Sequence, residues 1–204
     1  MLCIIDYGLG NPNSIQNMIK RIGGNCQISS DKSVIADADK LILPGVGHFK
    51  KGMENLKNSG LIEILNEQVL QNKVPILGIC LGMQLMTKHS EEGDCVGLSW
   101  VDATTIKFSF VRESNLKIPH MGWNDVHYKK QSIINQDLTT EPRNYFVHSY
   151  YVECKNQNDV LATTHYGIDF ISAFEHKNII GMQFHPEKSH KYGMEILNNF
   201  CKLL

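Results

Sequence analysis

The sequence predicts an α/β protein. It has a three-layer build: a mostly parallel central sheet flanked by helices, with additional mixed or antiparallel strands in the second half. Three observations carry the prediction. Short apolar runs alternate with helical periodicity through the first half of the chain. Glycine-bearing turns follow the apolar runs where a parallel sheet places its crevice. From Ser99 onward the texture shifts to β-branched and aromatic residues with few helix signals. A length of 204 residues suits one domain spanning 1–204.

The elements follow in order. Leu2-Cys3-Ile4-Ile5 is continuously apolar, as a strand buried on both faces requires. It ends at Asp6-Tyr7-Gly8-Leu9-Gly10, which lacks the GxGxxG spacing of a dinucleotide loop and reads as a turn. Pro12 suits a first helical turn. Ile15, Met18, Ile19 and Ile22 then line one helix face, and Gly23-Gly24 stops it. Gln27-Ile28 belongs to a second strand and Lys40-Leu41-Ile42-Leu43 to a third. The third ends at Pro44-Gly45-Val46-Gly47, either an ordinary glycine turn or a loop aiming a backbone N–H at a reacting group. His48 beside it reads as a surface or packing residue. Leu61, Leu65 and Val69 line a helix, and Val74-Pro75-Ile76-Leu77 reads as the next strand.

Gly78-Ile79-Cys80-Leu81-Gly82 follows, with the good helix formers Met83-Gln84-Leu85-Met86 behind it. Strand, small residue, cysteine, small residue and helix form the layout of a nucleophile elbow. The helix N-terminus behind the thiol favours negative charge, which a thiolate needs. The alternative is a small buried cysteine between two packing glycines. Glu91 to Asp94 reads as a surface turn. Tyr145 to Val152, Val160 to Thr164, Phe170 to Phe174 and Asn178 to Phe184 read as strands, and Leu197, Phe200, Cys201 and Leu204 as one face of a last helix. Phe184-His185-Pro186-Glu187 closes the final strand. Proline stops ladder pairing there, and Glu187 can curl back to a ring nitrogen of His185. An imidazole backed by a carboxylate is what a cysteine nucleophile requires.

Composition narrows the function. Lys+Arg 20 against Asp+Glu 21 gives a net charge of -1, so bulk charge suggests no nucleic acid and no anionic membrane as partner. No apolar run is long enough to span a bilayer, and the N-terminus lacks a basic n-region. The six cysteines (Cys3, Cys26, Cys80, Cys95, Cys154, Cys201) form no CxxC pair, which suits reduced thiols in a cytoplasmic location. The nine histidines show no HExxH spacing, so neither a metal nor another cofactor is expected.

Gly78-Ile79-Cys80-Leu81-Gly82-Met83-Gln84 together with Gln183-Phe184-His185-Pro186-Glu187 resembles the class I, triad-type glutamine amidotransferases. Further blocks run from Ile5 to Asn11, Pro44 to Gly47, Pro119 to Asn124, Tyr145 to Tyr150 and His185 to Ser189. They are similar to glutaminase subunits of imidazole glycerol phosphate synthase. The resemblance implies hydrolysis of L-glutamine to glutamate, with ammonia passed to a synthase (cyclase) subunit in a heterodimer. It implies Cys80 as nucleophile, His185 as general acid and base, and Glu187 as its orienting carboxylate. Gly47, Leu81, Gln84, His148 and Ser149 would hold the substrate. Trp123, Tyr145 and Lys188 would face the synthase. Read without the resemblance, Trp123 and Tyr145 are core residues and Lys188 a solvated lysine. Gly97 to Ala103 and Ser189 to Met194 look more like paralogues that supply ammonia for amidino sugars of surface polysaccharides. A cysteine peptidase or gamma-glutamyl hydrolase is the rival from another class, and a non-catalytic binding module the third reading.

Overall fold

The computed structural model describes residues 1–110, 116–138 and 142–202. Its parallel half contains β1 (Leu2–Ile5), α1 (Pro12–Arg21), β2 (Cys26–Ser29), α2 (Lys32–Ala36), β3 (Lys40–Leu43), α3 (Phe49–Asn58), α4 (Ile62–Asn66), β4 (Ile76–Ile79) and α5 (Leu81–Leu85). A π-helical turn, Glu67–Gln71, continues α4 and keeps Leu61, Leu65 and Val69 buried on one side. The second half contributes β5 (His89–Ser90), β6 (Cys95–Val96), β7 (Ala103–Lys107), β8 (His120–Asp125), β9 (His127–Tyr128), β10 (Arg143–His148), β11 (Tyr150–Cys154), β12 (Val160–Tyr166), β13 (Ile168–His176) and β14 (Ile179–Met182), then α6 (His190–Lys202). Leu204 of the anticipated helix face lies outside the described residues.

Among the described residues, twelve strands form one sheet, along the order β2-β1-β3-β4-β14-β13-β11-β7-β5-β6, with β12 on β13 and β9 on β12. The run β2-β1-β3-β4-β14 is parallel throughout. From β13 outward the pairing is antiparallel except for β5 with β7. Helices fall on both faces of the parallel run, and two buried clusters lie on opposite sides of the sheet. β14 matters most for function. It brings a late segment of the chain beside β4, in register Met182↔Ile79. Parallel pairing then forces the residues after β1, β3, β4 and β14 to one edge.

Several boundaries differ from the sequence reading: the strand read over Asn178 to Phe184 is Ile179–Met182, and those at Phe170 to Phe174 and Val160 to Thr164 run over Ile168–His176 and Val160–Tyr166. The elbow strand begins at Ile76 and runs through Gly78 to Ile79. Pro75 has no N–H for the ladder and serves as acceptor for Leu41 N at 2.9 Å. The stretch Tyr145–Val152 is two strands, broken at Ser149. β11 joins the large sheet, while β10 leaves it and pairs antiparallel with β8 as a separate ribbon, His148 opposite His120 and Tyr145 opposite Trp123. Continuous β-propensity cannot distinguish one long strand from two that change sheets.

Candidate active site

Cys80 sits between β4 and α5 at φ 53°, ψ -110°, left-handed territory that L-residues other than glycine rarely occupy. The sharp turn is held from both sides. Cys80 N donates to Met182 O at 2.7 Å, and Gln84 N to Cys80 O at 3.3 Å. Neighbouring backbone passes so close that side chains are excluded. A Cβ on Gly82 would lie 1.9 Å from Leu43 O, and one on Gly45 would lie 2.6 Å from Gly82 N. Tyr7 Oη donates to Pro44 O at 2.7 Å, fastening the β1 turn to the β3 loop. Gly47 has φ +114° and open space where a Cβ would be, in a loop held at Pro44 and Gly45 on one side and at Phe49 N on the other.

His185 ends the β14 segment, with its own N donating to Tyr145 O at 2.9 Å. Pro186 opens a short 3-10 turn through Lys188. A Cβ on Gly193 would collide with Pro186 O at 1.7 Å, so α6 packs directly on this turn. The turn returns Glu187 to the ring: Oε1 lies 2.8 Å from His185 Nδ1, with side chains only 2 % and 3 % exposed. Ser189 Oγ donates to His185 O at 2.6 Å and accepts from Tyr145 N at 3.0 Å. Burial alone would depress the imidazole's proton affinity. The nearby Cys80 sulfur and the hydrogen-bonded Glu187 carboxylate outweigh it, and the pKa rises to about 9. His185 Nε2 is buried and has no partner at hydrogen-bonding geometry, as is common where a thiol and an imidazole await substrate.

A cavity of about 230 Å³ opens at the sulfur, lined by Gly47, Cys80, Leu81, Gln84, Glu92 and the Val147–Tyr150 backbone among others. Every anticipated substrate contact, Gly47, Leu81, Gln84, His148 and Ser149, is on this wall. Two of the side chains are already occupied. Gln84 Nε2 donates to Tyr150 O at 3.1 Å and to Gln183 Oε1 at 2.9 Å, leaving Oε1 as the atom it can offer. His148 Nδ1 lies 2.8 Å from Tyr150 O and its Nε2 3.0 Å from His120 Nδ1. A carbonyl only accepts, so His148 carries its proton on Nδ1. Its Nε2 then accepts from His120, whose Nε2 in turn accepts from Asn124 Nδ2 at 3.2 Å. Both rings must be neutral for this chain to hold. Burial lowers the pKa of His148 to about 3 and of His120 to about 4. The His148 ring therefore shapes the wall and does not itself reach for substrate.

Glu92 is the residue that sequence reasoning missed. Its local sequence reads as a surface turn, yet its carboxylate accepts from Phe49 N at 2.7 Å and lines the cavity. No local pattern signals this, because the contact joins two loops 43 residues apart. Trp123, Tyr145 and Lys188 come together beyond the site. Trp123 stacks on His190 with centroids 5.4 Å apart and meets the Tyr145 ring edge-on at 6.4 Å. Lys188 Nζ lies 5.9 Å from the Tyr145 centroid. Trp123 remains 39 % exposed and Met121 61 %, so the ribbon presents an apolar surface to solvent.

A cysteine on a strained strand-to-helix turn, near a buried carboxylate-backed imidazole on an α/β sheet, is the arrangement that thiol hydrolases use. The model of the class-I glutamine amidotransferase family matches residues 3–204, and the chain belongs to that family. Within it, the chain is 52 % identical over 202 residues to imidazole glycerol phosphate synthase subunit HisH 2 of Methanococcus maripaludis, covering 99 % of each. It is 45 % identical to the subunit of that name from Pseudomonas aeruginosa, covering 100 % of each. The fold is shared with PurLQS from Thermotoga maritima (TM-score 0.73, 15 % identity, 98 % of this chain and 96 % of that one). It is shared also with the glutaminase domain of CTPS from Trypanosoma brucei (TM-score 0.62, 15 % identity, 98 % and 93 %).

Proposed function

We propose that the chain is the glutamine-hydrolysing subunit of imidazole glycerol phosphate synthase. In this reading it works in the cytoplasm as a heterodimer with a cyclase subunit, which uses the ammonia to form imidazole glycerol phosphate in histidine biosynthesis. The relatives at 52 % and 45 % identity, matched end to end, support the assignment. The observation that carries the chemistry is the Cys80–His185–Glu187 arrangement: Cys80 lines the cavity, and Glu187 Oε1 lies 2.8 Å from Nδ1 of the buried His185 ring.

The residues act in sequence. The Cys80 thiolate attacks the side-chain amide carbon of glutamine, forming a C–S bond and a tetrahedral oxyanion. The backbone N–H groups of Leu81 and Gly47 receive that oxyanion. His185, protonated, gives its proton to the amide nitrogen as the C–N bond breaks, and ammonia leaves. Water then attacks the glutamyl thioester with neutral His185 taking its proton, releasing glutamate and restoring the thiol. Glu187 holds the ring and favours the imidazolium. Glu92 is the carboxylate on the cavity wall placed to face the substrate's α-ammonium. The Gly47 tip is the movable part, so its N–H turns to the oxyanion once the synthase docks against Trp123, Tyr145 and Lys188.

The test is glutamate and ammonia release from glutamine by the chain together with the cyclase. Cys80→Ala should abolish both, and the parent chain alone should be slow. Release by Cys80→Ala at the parent rate would end the thiol mechanism, and peptide cleavage without glutamine turnover would favour the peptidase reading. The acceptor that consumes ammonia separates the histidine pathway from the amidino-sugar paralogues, which the Gly97–Ala103 and Ser189–Met194 segments resemble.

A further inference from the structure

Gln183 is fully buried immediately after β14, two residues before His185. A buried amide is normally satisfied by backbone or by other polar side chains. Gln183 is instead shared between one side chain and the sulfur: its Oε1 accepts from Gln84 Nε2 at 2.9 Å, and its Nε2 lies 3.7 Å from Cys80 Sγ. The direction of this amide is determined by what lies behind it. The Tyr150 carbonyl can only accept, and it takes Gln84 Nε2 at 3.1 Å on one lone pair and His148 Nδ1 at 2.8 Å on the other. Gln84 therefore presents its nitrogen toward Gln183 as well. Gln183 must answer with its oxygen, which turns its NH2 to the sulfur.

We propose that Gln183 is a further catalytic residue, whose Nε2–H donates to the Cys80 sulfur and holds it as an aimed thiolate, with Gln84 and the Tyr150 carbonyl fixing the direction of that donor. The proposal rests on the thiol mechanism above and adds to it a second group acting on the nucleophile. The division of work is physical. His185 supplies a proton and must release it during the cycle. An amide cannot titrate, so Gln183 stabilises the sulfur's charge in every protonation state of the ring. Other groups near the sulfur are Val147 O, 4.0 Å from Sγ, Tyr7 after β1, His185 with Glu187 behind it after β14, and His148 and Glu92 on the same cavity wall.

The test reads the thiol directly. Iodoacetamide labelling of Cys80 is followed against pH by mass spectrometry of its peptide, in the full chain with and without the synthase, beside Gln183→Met and Gln84→Met. Methionine keeps the volume and deletes the donor. The expected result for Gln183→Met is a rise of about one pH unit in the labelling midpoint. That is a tenfold loss of labelling rate below the midpoint, at about 1.4 kcal/mol per unit. Gln84→Met, which leaves the donor but frees its direction, should shift the midpoint the same way by a smaller amount. It decides the question should Gln183→Met fail to fold cooperatively. A folded variant whose midpoint coincides with the parent's overturns the proposal. Because labelling needs no glutamine, a shift seen in a protein that releases no ammonia would sink the glutaminase reading and leave Gln183's role intact. Full turnover with no shift would do the reverse.

Discussion

Glu187→Gln isolates the charge behind the imidazole. The amide keeps an oxygen to accept from His185 Nδ1–H, so the tautomer survives and one negative charge disappears. In the parent, Oε1 lies 2.8 Å from Nδ1 in a setting almost closed to water. A hydrogen bond to a charged group contributes ~1.5–3 kcal/mol against ~1 for a neutral pair. The difference, on the order of 1–2 kcal/mol, is about one pKa unit at 1.36 kcal/mol each. His185 in the parent holds its proton up to about 9. The raised value means that the imidazolium, the form that protonates the departing nitrogen, is present below that pH and lost above it. In the variant the loss begins about one unit lower, so the alkaline limb of kcat/KM for glutamine moves toward acid. Rates on that limb should fall about tenfold. The measurement is the pH profile of glutamate release by the chain with its synthase partner. It is paired with a titration of the His185 ring by NMR, which reports the same shift without turnover. A folded Glu187→Gln protein whose limb and ring titration both overlay the parent's would refute the account of what raises His185.

The other expectations concern packing, acid stability and docking. Gly82→Ala should not fold to the parent structure, because its Cβ would sit 1.9 Å from Leu43 O, which is backbone and cannot yield. A loss of about 3 kcal/mol or more is expected, and a parent-like urea midpoint would contradict it. Acid should destabilise the fold through the neutral His148–His120 chain. The folded rings resist protonation down to about 3 and about 4, while unfolded ones take protons near 6.5. Stability is therefore complete above about 6.5 and declines below it, by up to about 1.4 kcal/mol per pH unit for each ring. Urea midpoints that do not fall between about pH 7 and 5 would count against that chain. Trp123→Ala and Lys188→Ala should each weaken synthase binding tenfold or more while leaving the free chain's melting temperature within about a degree, since partly exposed anchors of this kind carry interface energy. Unchanged affinity in both would move the docking face elsewhere. Glu92→Gln should raise KM for glutamine more than it lowers kcat, and equal affinity for an analogue lacking the α-ammonium in parent and variant would confirm that the lost contact is to that group.

Much of this molecule is legible from residue order alone. Leu2–Ile5 and Leu41–Leu43 read as strands because short apolar runs followed by glycine turns suit a strand buried on both faces, and the structure has strands at Leu2–Ile5 and Lys40–Leu43. The elbow announces itself because only small residues tolerate its closeness, and Gly78 and Gly82 flank the thiol for that reason. His185 and Glu187 can be paired from sequence because two residues and a proline suffice to curl one back on the other. Tertiary structure alone decided what crosses from one segment to another. That β10 leaves the sheet at Ser149, that Glu92 reaches Phe49 N, and that Gln183 turns its nitrogen to the sulfur are results of contacts between residues 18 to 103 positions apart. Local pattern records what a segment can be. Which polar atoms end up facing one another depends on how the sheet is ordered, and β14 lying beside β4 is what brings the two halves of the site together.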